Sequence, residues 1–387
     1  MRSAFIHSAE FEKYELAPHH PFKPGRSKAV YDLCMRYHLL ARDWIQVVEP
    51  QALDMATMAL FHDKEYLQNL KKANDGKFFD KLIEFNIGTG ECPVFGGMYD
   101  FAALAAGAAF TAMRLLLEDK ADIAFSPMGG YHHAGRRHAE GFCYVNDPGV
   151  MIEYLLKQGK RVVYLDLDAH HGNGVQDAFY GEKRVLKISF HETGETLFPW
   201  CGHYTEIGEG PGKGYNVNVP FPPQTADDIY LAAFKEIAPP LINAFKPDLL
   251  MAVMGADVLW ADPLTHLNLT NNGMADVATI LRGMPMKRLV VGGGGYNLDA
   301  MARAWTLVWA VLNDIEPPDE YVGTVGGIFF GETDLEQGGL RDMHIYSSGP
   351  MKERIEAAVH EVIDYIKAKV FPIHGIQPQE GEANVED

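Results

Sequence analysis

Short apolar runs alternate along the chain with longer segments in which apolar residues recur at helical spacing. The apolar runs predict strands at residues 4–7, 123–125, 162–167, 249–254 and 289–291. The helical spacing predicts helices at residues 100–117, 149–158, 174–179, 298–312 and 351–370. This alternation is typical of βαβ units. It predicts an α/β fold with three layers, in which a single open, mainly parallel sheet is flanked by helices.

Length and composition indicate how the chain is divided into domains. The chain has 387 residues, of which 47% are hydrophobic and 22% charged, so it can bury a large core. No linker, charge block or repeat divides the first 345 residues. We therefore predict one catalytic domain over residues 1–371, followed by a polar, acidic and mobile tail at residues 372–387.

Charge and cysteine content limit the partners. The net charge is −18, and the Lys and Arg residues form no basic runs, so direct binding to nucleic acid is not expected. The four cysteines are widely spaced, which favours reduced thiols. Because no apolar signal segment or membrane span is recognisable, we expect a cytoplasmic protein with no membrane partner.

Polar residues follow four of the predicted strands. His132 and His133 come after the run at 123–125, and Asp168 with His170 comes after the run at 162–165. Asp257 follows the run at 249–254, and Tyr296 follows the run at 289–291 and four glycines. Ligands of open α/β sheets bind outside the carboxyl ends of the strands. These residues are therefore expected to form one site.

Asp168, His170 and Asp257 are the expected metal ligands. Asp168 and His170 have i, i+2 spacing, so both side chains can leave the same face of an extended segment. Two carboxylates and one imidazole, with positions left open, suit a catalytic zinc ion, and ferrous iron is an alternative. Asp168 and His170 taken alone could equally be a hydrogen-bonded pair in a turn.

The tandem histidines could act on a metal-activated water. Adjacent histidines also occur on exposed loops without function, and His19-His20 is a second such pair in this chain. His132 and His133 differ by following a strand, with Asp166 and Asn173 available to fix their tautomers.

The four glycines before Tyr296 lack the pattern of a nucleotide-binding loop. They could leave the Tyr296 hydroxyl free to donate to an oxyanion, although Tyr296 alone could be a packed aromatic.

Five segments together resemble the zinc-dependent histone deacetylase family. They are residues 129–133 (GGYHH), 141–147 (GFCYVND), 166–174 (DLDAHHGNG), 255–257 (GAD) and 292–297 (GGGGYN). The resemblance runs in order over most of the chain and is strongest to the class I-like and bacterial acetoin-utilisation branches. It implies an arginase-like fold and the removal of acetyl or other acyl groups from the side-chain nitrogen of lysine.

The resemblance also implies roles for individual residues. Asp168, His170 and Asp257 correspond to the zinc ligands, Tyr296 to the donor that stabilises the transition state, and His133 to the general base and then acid. His132 would pair with Asp166. Asn173 stands where class I members usually have Asp, so we hypothesise that His133 is more readily neutral near pH 7 than it would be beside a carboxylate.

Substrate-binding roles are implied in the same way. Phe142 and Phe198 resemble the walls of a narrow channel for the lysine stem, and the Gly141 carbonyl resembles the acceptor for the substrate amide. Leu264 corresponds to the channel rim. Glu91 lies where the family often has an aspartate that holds the substrate backbone, so recognition at the rim can differ here.

Monovalent cations are also implied. A potassium site is expected at Asp166, Asp168, His170, Ser189 and Phe190. Phe179 and Tyr215 resemble parts of a second potassium site.

Three rival interpretations differ in chemistry. An arginase-type ureohydrolase with two metal ions would need carboxylates at positions 172 and 259. These positions are Gly172 and Leu259 here, so a second metal ion would lack ligands. Acetylpolyamine hydrolysis would use the same mechanism on a small acetylated amine instead of an acetylated protein. A catalytically silent scaffold that binds acyl-lysine is the non-enzymatic alternative.

Cys143 is expected to pack rather than to act as a nucleophile.

Overall fold

A computed structural model describes residues 1–317 and 340–377. Its strands are β1 (Ser3–Ile6), β2 (Ile45–Val48), β3 (Ile123–Ser126), β4 (Val162–Asp166), β5 (Val185–Glu192), β6 (Asn216–Phe221), β7 (Leu249–Val253) and β8 (Arg288–Val291). They form one eight-stranded sheet in the order β2-β1-β3-β8-β7-β4-β5-β6, and every neighbouring pair is parallel. The prediction of a single open parallel sheet is confirmed.

Helices cover both faces of this sheet. They are α1 (Arg26–Arg36), α2 (Met55–Met58), α3 (Lys64–Lys72), α4 (Met98–Leu117), α5 (Asp147–Lys157), α6 (Asn173–Ala178), α7 (Asp227–Phe245), α8 (Asn271–Arg282), α9 (Leu298–Leu312) and α10 (Gly349–Lys369). Short 3-10 helices occur at Ala9–Lys13, Asp80–Phe85, Gly210–Gly212 and Phe371–His374.

The side chains of each central strand alternate between two apolar clusters. In β4, Val163 and Leu165 pack with the cluster that includes α1 and α7 to α10, while Val162 and Tyr164 pack with the cluster that includes α3 to α6. Because both faces of the sheet are buried, the strands read as continuous apolar runs rather than as alternating ones. The three-layer arrangement follows from that double burial.

Helix α4 is long and apolar enough to cross a membrane by length and composition alone. However, 72% of its most apolar window is buried inside the protein, where the alanine-rich surface packs against β1, β3 and α5. Small side chains allow this close contact with the sheet. The apolar character of α4 is therefore accounted for by its position in the core.

The ordered chain continues past residue 371, where the predicted catalytic domain ends. The 3-10 helix at Phe371–His374 contacts the body of the protein, because His374 Nε2 donates to the Gly214 carbonyl at 2.8 Å. Ile376 also packs against the core. Residues 378–387 of the predicted tail lie outside the described residues, and the domain boundaries remain a prediction.

The four strands that precede the candidate residues are neighbours at the centre of the sheet, in the order β3, β8, β7, β4. Backbone hydrogen bonds continue beyond the strand ends, from Gly292 N to Ser126 O at 3.1 Å and from Gly293 N to Gly129 O at 3.0 Å. The loops that leave these strands therefore stay in register with one another. As a result, residues far apart in sequence meet at one edge of the sheet.

Candidate active site

Asp168, His170 and Asp257 form a buried cluster at this edge. Each offers one ligand atom, and the three atoms lie within 4.8 Å of one another. His170 Nδ1 is 2.7 Å from Asp257 Oδ2 and 3.2 Å from Asp168 Oδ1. This is the set of residues that the sequence pattern selected as metal ligands. Their atoms are close enough to share one cation.

Backbone amides fix the orientation of both carboxylates. Asp168 Oδ1 accepts from His170 N at 2.9 Å, and Asp168 Oδ2 accepts from Gly294 N at 2.6 Å. Asp257 Oδ1 accepts from Ala169 N at 3.0 Å, which leaves Oδ2 directed at His170. The ligand atoms are thus held in place by the loops that follow β4, β7 and β8.

The cluster has a strong electrostatic preference for positive charge. Burial opposes protonation of His170, but Asp168 and Asp257 raise the pKa of this imidazole to about 10. Burial, followed by the charge of Asp168, raises the pKa of Asp257 to about 7. Two buried carboxylates so close together require a proton or a metal cation between them. A divalent cation fits this donor set.

The glycines that precede Tyr296 allow the backbone to approach the carboxylates. A Cβ atom at Gly294 would lie 2.1 Å from Asp257 Oδ2, and one at Gly293 would lie 2.7 Å from Asp168 Oδ2. Gly293 also has a φ of +101°, a backbone conformation that residues other than glycine rarely adopt. The glycine run therefore lets the backbone lie against the carboxylates of Asp168 and Asp257.

His132 and His133 form a hydrogen-bonded chain beside this cluster. His132 Nδ1 lies 2.8 Å from Asp166 Oδ2, and His133 Nδ1 lies 2.8 Å from Asn173 Oδ1. The two Nε2 atoms are 3.0 Å apart. Asn173 Nδ2 donates to Glu140 Oε2 at 3.0 Å, so the amide oxygen of Asn173 faces His133.

The geometry of this chain indicates one extra proton on the histidine pair. Asp166 and Asn173 each accept from an Nδ1–H, so the short contact between the Nε2 atoms requires a proton on one of them. Although burial opposes it, Asp166 raises the pKa of His132 to about 9. Burial and then the charge of His132 lower the pKa of His133 well below its ordinary value. These shifts favour His132 as the cation and His133 as the neutral imidazole.

The two residues at the end of the GFCYVND segment hold the histidine loop. Asp147 accepts from Gly130 N at 2.9 Å and from Tyr131 N at 2.8 Å. Asn146 Nδ2 donates to the carbonyls of His132, at 3.1 Å, and Ala134, at 2.8 Å. These contacts show how the segment supports the site. It fixes the backbone from which both histidines project.

Tyr296 lies on the other side of the cluster. The centre of its ring is 6.3 Å from that of His170, and the two rings are perpendicular. Its backbone N donates to Asp262 Oδ2 at 2.7 Å, and Arg26 holds the glycine run by donating to Gly293 O and Gly295 O. Burial raises the pKa of the Tyr296 hydroxyl well above its ordinary value, so the group remains a proton donor.

Aromatic rings surround the approach to the cluster. Phe198 lies 5.1 Å from the ring of His133 and 6.4 Å from that of His170, and Phe142 lies 5.6 Å from the ring of Tyr296. A pocket with an empty volume of about 320 Å³ is lined by Phe142, His133, Asp168 and Tyr296. Apolar walls therefore lead to a charged interior.

Of the remaining predicted substrate residues, Gly141 lines this pocket, whereas Leu264 and Glu91 are connected to it through the hydrogen bonds of neighbouring residues. The Gly141 carbonyl accepts from the buried Cys143 thiol, with 3.2 Å between Sγ and the oxygen, and burial raises the pKa of that thiol well above its ordinary value. Leu264 N donates to Asp262 Oδ1 at 2.9 Å, so Asp262 connects the Leu264 loop to Tyr296. Glu91 is exposed, and its carbonyl accepts from His20 Nε2 at 3.1 Å.

The residues of the predicted potassium site occupy the adjacent strands. Asp166 and Ser189 are paired in the register of β4 and β5. Ser189 Oγ is 2.8 Å from His191 Nδ1, and the ring of Phe190 packs in the apolar core. Phe190 could therefore contribute only its backbone to such a site.

Sequence reasoning missed several residues that support the site. Glu140 was not singled out, because its contact with Asn173 depends on a loop conformation that no local pattern specifies. His20 was set aside as half of an ordinary histidine pair, yet it is buried and its ring lies 4.7 Å from that of Phe142. Asp262 could have been suspected from its position five residues after Asp257. Arg26 gave no sequence signal.

The fold and the site together define an α/β protein with a cluster of three residues that could hold a metal ion at the carboxyl edge of a parallel sheet. The sequence profile of the histone deacetylase domain matches residues 20–312. The chain belongs to the histone deacetylase family. The resemblance inferred from the five segments and the arginase-like fold are thereby confirmed.

Relatives include eukaryotic and bacterial proteins. The chain is 36% identical over 324 residues to histone deacetylase 6 of Arabidopsis thaliana, which covers 82% of this chain and 68% of that protein. It is 36% identical over 326 residues to the acetoin utilization protein AcuC of Bacillus subtilis, covering 82% and 84% respectively. Human histone deacetylase 1 is 35% identical over 319 residues, covering 82% and 65%.

Solved structures show the same fold. The crystal structure of a histone deacetylase homolog from Aquifex aeolicus superposes with a TM-score of 0.84 at 32% identity, and the match covers 95% of this chain and 100% of that chain. A crystal structure of a homolog complexed with SAHA gives the same values.

Proposed function

We propose that this protein is a zinc-dependent hydrolase that removes acetyl groups from the side-chain nitrogen of lysine in proteins. The observation that carries the proposal is the position of a neutral imidazole, His133, and a protonated phenol, Tyr296, on two sides of one metal-binding cluster. Family membership supports a deacetylase activity. The lysine substrate and the individual roles are part of the proposal.

Asp168, Asp257 and His170 Nδ1 would hold the metal. Three protein ligands with further positions open are typical of catalytic rather than structural zinc. When bound there, zinc would polarise the acyl carbonyl and lower the pKa of a water molecule. The family favours zinc, although the same donor set also suits ferrous iron.

His133 would take a proton from the attacking water and later deliver it to the leaving amine. Asn173 holds the proton of His133 on Nδ1, so Nε2 carries the lone pair. This atom accepts from His132 Nε2 at 3.0 Å and would take the proton of the water in place of that contact. His132 remains charged through its contact with Asp166, so it stabilises negative charge that develops nearby. The two histidines therefore have different tasks although they are adjacent in sequence.

Tyr296 would donate its hydroxyl proton in a hydrogen bond to the oxyanion. A donor that is already oriented in a buried site stabilises the transition state without reorganisation at the moment of reaction. Arg26 and Asp262 fix the peptide bond that precedes Tyr296, so the ring position is set before substrate binds. We assign Tyr296 to catalysis and Asp262 to positioning.

The shape of the entrance supports a lysine side chain as substrate. Phe142 and Phe198 would contact the four methylene groups of the stem, and the Gly141 carbonyl would accept from the substrate amide. Leu264 would contact the substrate at the rim. Glu91 is exposed, and its carbonyl accepts from His20, whose ring contacts Phe142. Its carboxylate equally suits the cationic end of an acetylated polyamine, so acetylpolyamine hydrolysis is the second candidate.

A potassium ion is proposed near the zinc ligands. The pairing of Asp166 with Ser189 across β4 and β5 supports it, since carboxylate, hydroxyl and carbonyl oxygens are the ligands that hard cations prefer. The backbones of Asp168, His170 and Phe190 would complete this site. Its role would be to hold the loop that carries the zinc ligands.

The proposal is tested by comparing acetate release from an acetyl-lysine peptide and from N-acetylputrescine on the same purified protein. We expect a kcat/KM for the peptide at least about tenfold higher, which corresponds to about 1.4 kcal/mol in the transition state. A preference for N-acetylputrescine would favour the polyamine function. If neither compound is hydrolysed by zinc-loaded protein, while acetyl-lysine peptide still binds, the chain is a scaffold.

A Glu91→Gln variant sharpens the comparison. If Glu91 recognises the cationic end of a polyamine, its neutralisation lowers kcat/KM for N-acetylputrescine and leaves a neutral acetyl-lysine peptide unaffected. If Glu91 instead holds the peptide backbone, the substitution lowers kcat/KM for the acetyl-lysine peptide.

A further inference from the structure

Lys187 is a buried cation without a buried partner charge. It lies in β5 and is only 3% exposed. Among the residues that the structure describes, no carboxylate oxygen forms an ion pair with its Nζ. The nearby acid Glu182 is paired with Arg184 through two hydrogen bonds, of 3.0 and 2.6 Å. Buried lysines without such a partner are rare.

Backbone carbonyl oxygens surround the ammonium instead. Lys187 Nζ donates to Phe179 O at 2.6 Å and to Val185 O at 3.3 Å. The Phe179 carbonyl also accepts from Glu182 N at 3.0 Å, so the loop between α6 and β5 folds around this group. Carbonyl oxygens converging on one buried positive centre are the environment that proteins use for dehydrated monovalent cations.

The family resemblance led us to expect a potassium ion near Phe179 and Tyr215. The positions present here do not fit that ion, because the ammonium of Lys187 already contacts the Phe179 carbonyl. The Tyr215 carbonyl accepts from the backbone N of Lys187 at 3.0 Å. A potassium ion bound to the same oxygens would meet a like charge at short range.

We propose that the ammonium of Lys187 serves as a built-in monovalent cation at this carbonyl cluster and replaces a bound potassium ion there. The consequence is structural. Helix α6 begins with Asn173, which contacts His133, and ends next to Phe179, which Lys187 holds. The lysine therefore anchors the far end of the helix that carries a residue of the site.

The first test compares the melting temperatures of Lys187→Ala and the wild type in potassium chloride and in tetramethylammonium chloride at equal ionic strength. Burial lowers the pKa of Lys187 to about 7, so the measurement is made at about pH 6, where the amine carries its proton. Removing the side chain opens a cavity lined by carbonyls. We expect potassium to raise the melting temperature of the variant by roughly 2–4 °C more than it raises that of the wild type.

Two further variants control this result. Lys187→Met lacks the charge but fills the space, so it should be destabilised without gaining a potassium response. Lys183→Ala, an exposed lysine on the same loop, should behave as the wild type. An equal potassium effect in Lys187→Ala and wild type contradicts the proposal, as does an equal gain in Lys187→Met.

A second measurement needs no variant. Wild-type crystals soaked in rubidium chloride should show no anomalous peak in contact with the Phe179 carbonyl oxygen. A rubidium peak at that oxygen would overturn the proposal. Neither experiment depends on the deacetylase activity, so the outcome is independent of the proposed function.

Discussion

Replacing Asn173 by Asp tests how the site sets the protonation of His133. The substitution would put a carboxylate where an amide oxygen now lies 2.8 Å from His133 Nδ1. Two opposite charges about 4 Å apart interact by about 4 kcal/mol at an effective dielectric constant of about 20. At 1.36 kcal/mol per pKa unit, this interaction alone would raise the pKa of His133 by about three units.

Glu140 reduces that effect. Its Oε2 is 3.0 Å from Asn173 Nδ2, so Asn173→Asp would place two carboxylates in contact. Their repulsion favours a shared proton, which removes much of the new negative charge from His133. We expect the single variant to raise the pKa of His133 by about one unit. The double variant Asn173→Asp/Glu140→Gln, in which an amide can donate to the new carboxylate, should raise it by about two.

The assay is the pH dependence of kcat/KM for an acetyl-lysine peptide, which reports ionisations of the free enzyme. A neutral base loses activity when it is protonated, so a raised pKa moves the acidic limb of the profile to higher pH. Glu140→Gln alone is the matched control and should move the limb very little. If the acidic limb of the pH profile lies at the same pH in the wild type, in Asn173→Asp and in the double variant, our account of His133 is refuted.

Three other predictions concern the metal cluster and the oxyanion donor. Tyr296→Phe should lower kcat by about 10²–10³-fold with unchanged zinc content, as kinetics and metal analysis will show. Asp257→Asn removes one carboxylate ligand, so turnover should fall by more than about 100-fold and the purified protein should contain well below one zinc per chain. Gly294→Ala puts a Cβ atom 2.1 Å from Asp257 Oδ2 and should weaken zinc binding, measured by competition with a chelator. Gly283 is exposed, and a Cβ atom there would lie 3.5 Å from its nearest neighbour, so Gly283→Ala should leave zinc binding unchanged. Equal zinc affinities of the two alanine variants would contradict the steric argument.

The central strands of the fold could be predicted because they are buried on both faces. β3, β4, β7 and β8 are continuous apolar runs, and each was located within one or two residues of its observed bounds. β2, β5 and β6 were missed; the apolar run of β5 is interrupted by Lys187, Ser189 and His191, although the whole strand is buried. β2 is an edge strand whose Gln46 and Val47 are exposed, and β6 contains Asn216, Asn218 and Pro220. Their strand conformation depends on pairing with β1 and β5 rather than on local composition.

The reactive residues of the site could be predicted for a related reason. Parallel strands align their carboxyl ends, so polar residues that follow apolar runs must meet at one edge. The residues that orient them could not be found in this way. Glu140 contacts Asn173 across 33 positions, and Arg26 reaches Gly293 and Gly295 across 267 and 269 positions. Such contacts depend on how loops pack in three dimensions.

A zinc titration of metal-free protein tests the central claim most directly. Acetate release from an acetyl-lysine peptide is followed as zinc is added in known amounts. If Asp168, His170 and Asp257 hold one catalytic ion, turnover is absent at the start and reaches its plateau at one zinc per chain, and Asp257→Asn shows no such plateau. Full turnover without metal, or a plateau only at two ions per chain, would contradict the account.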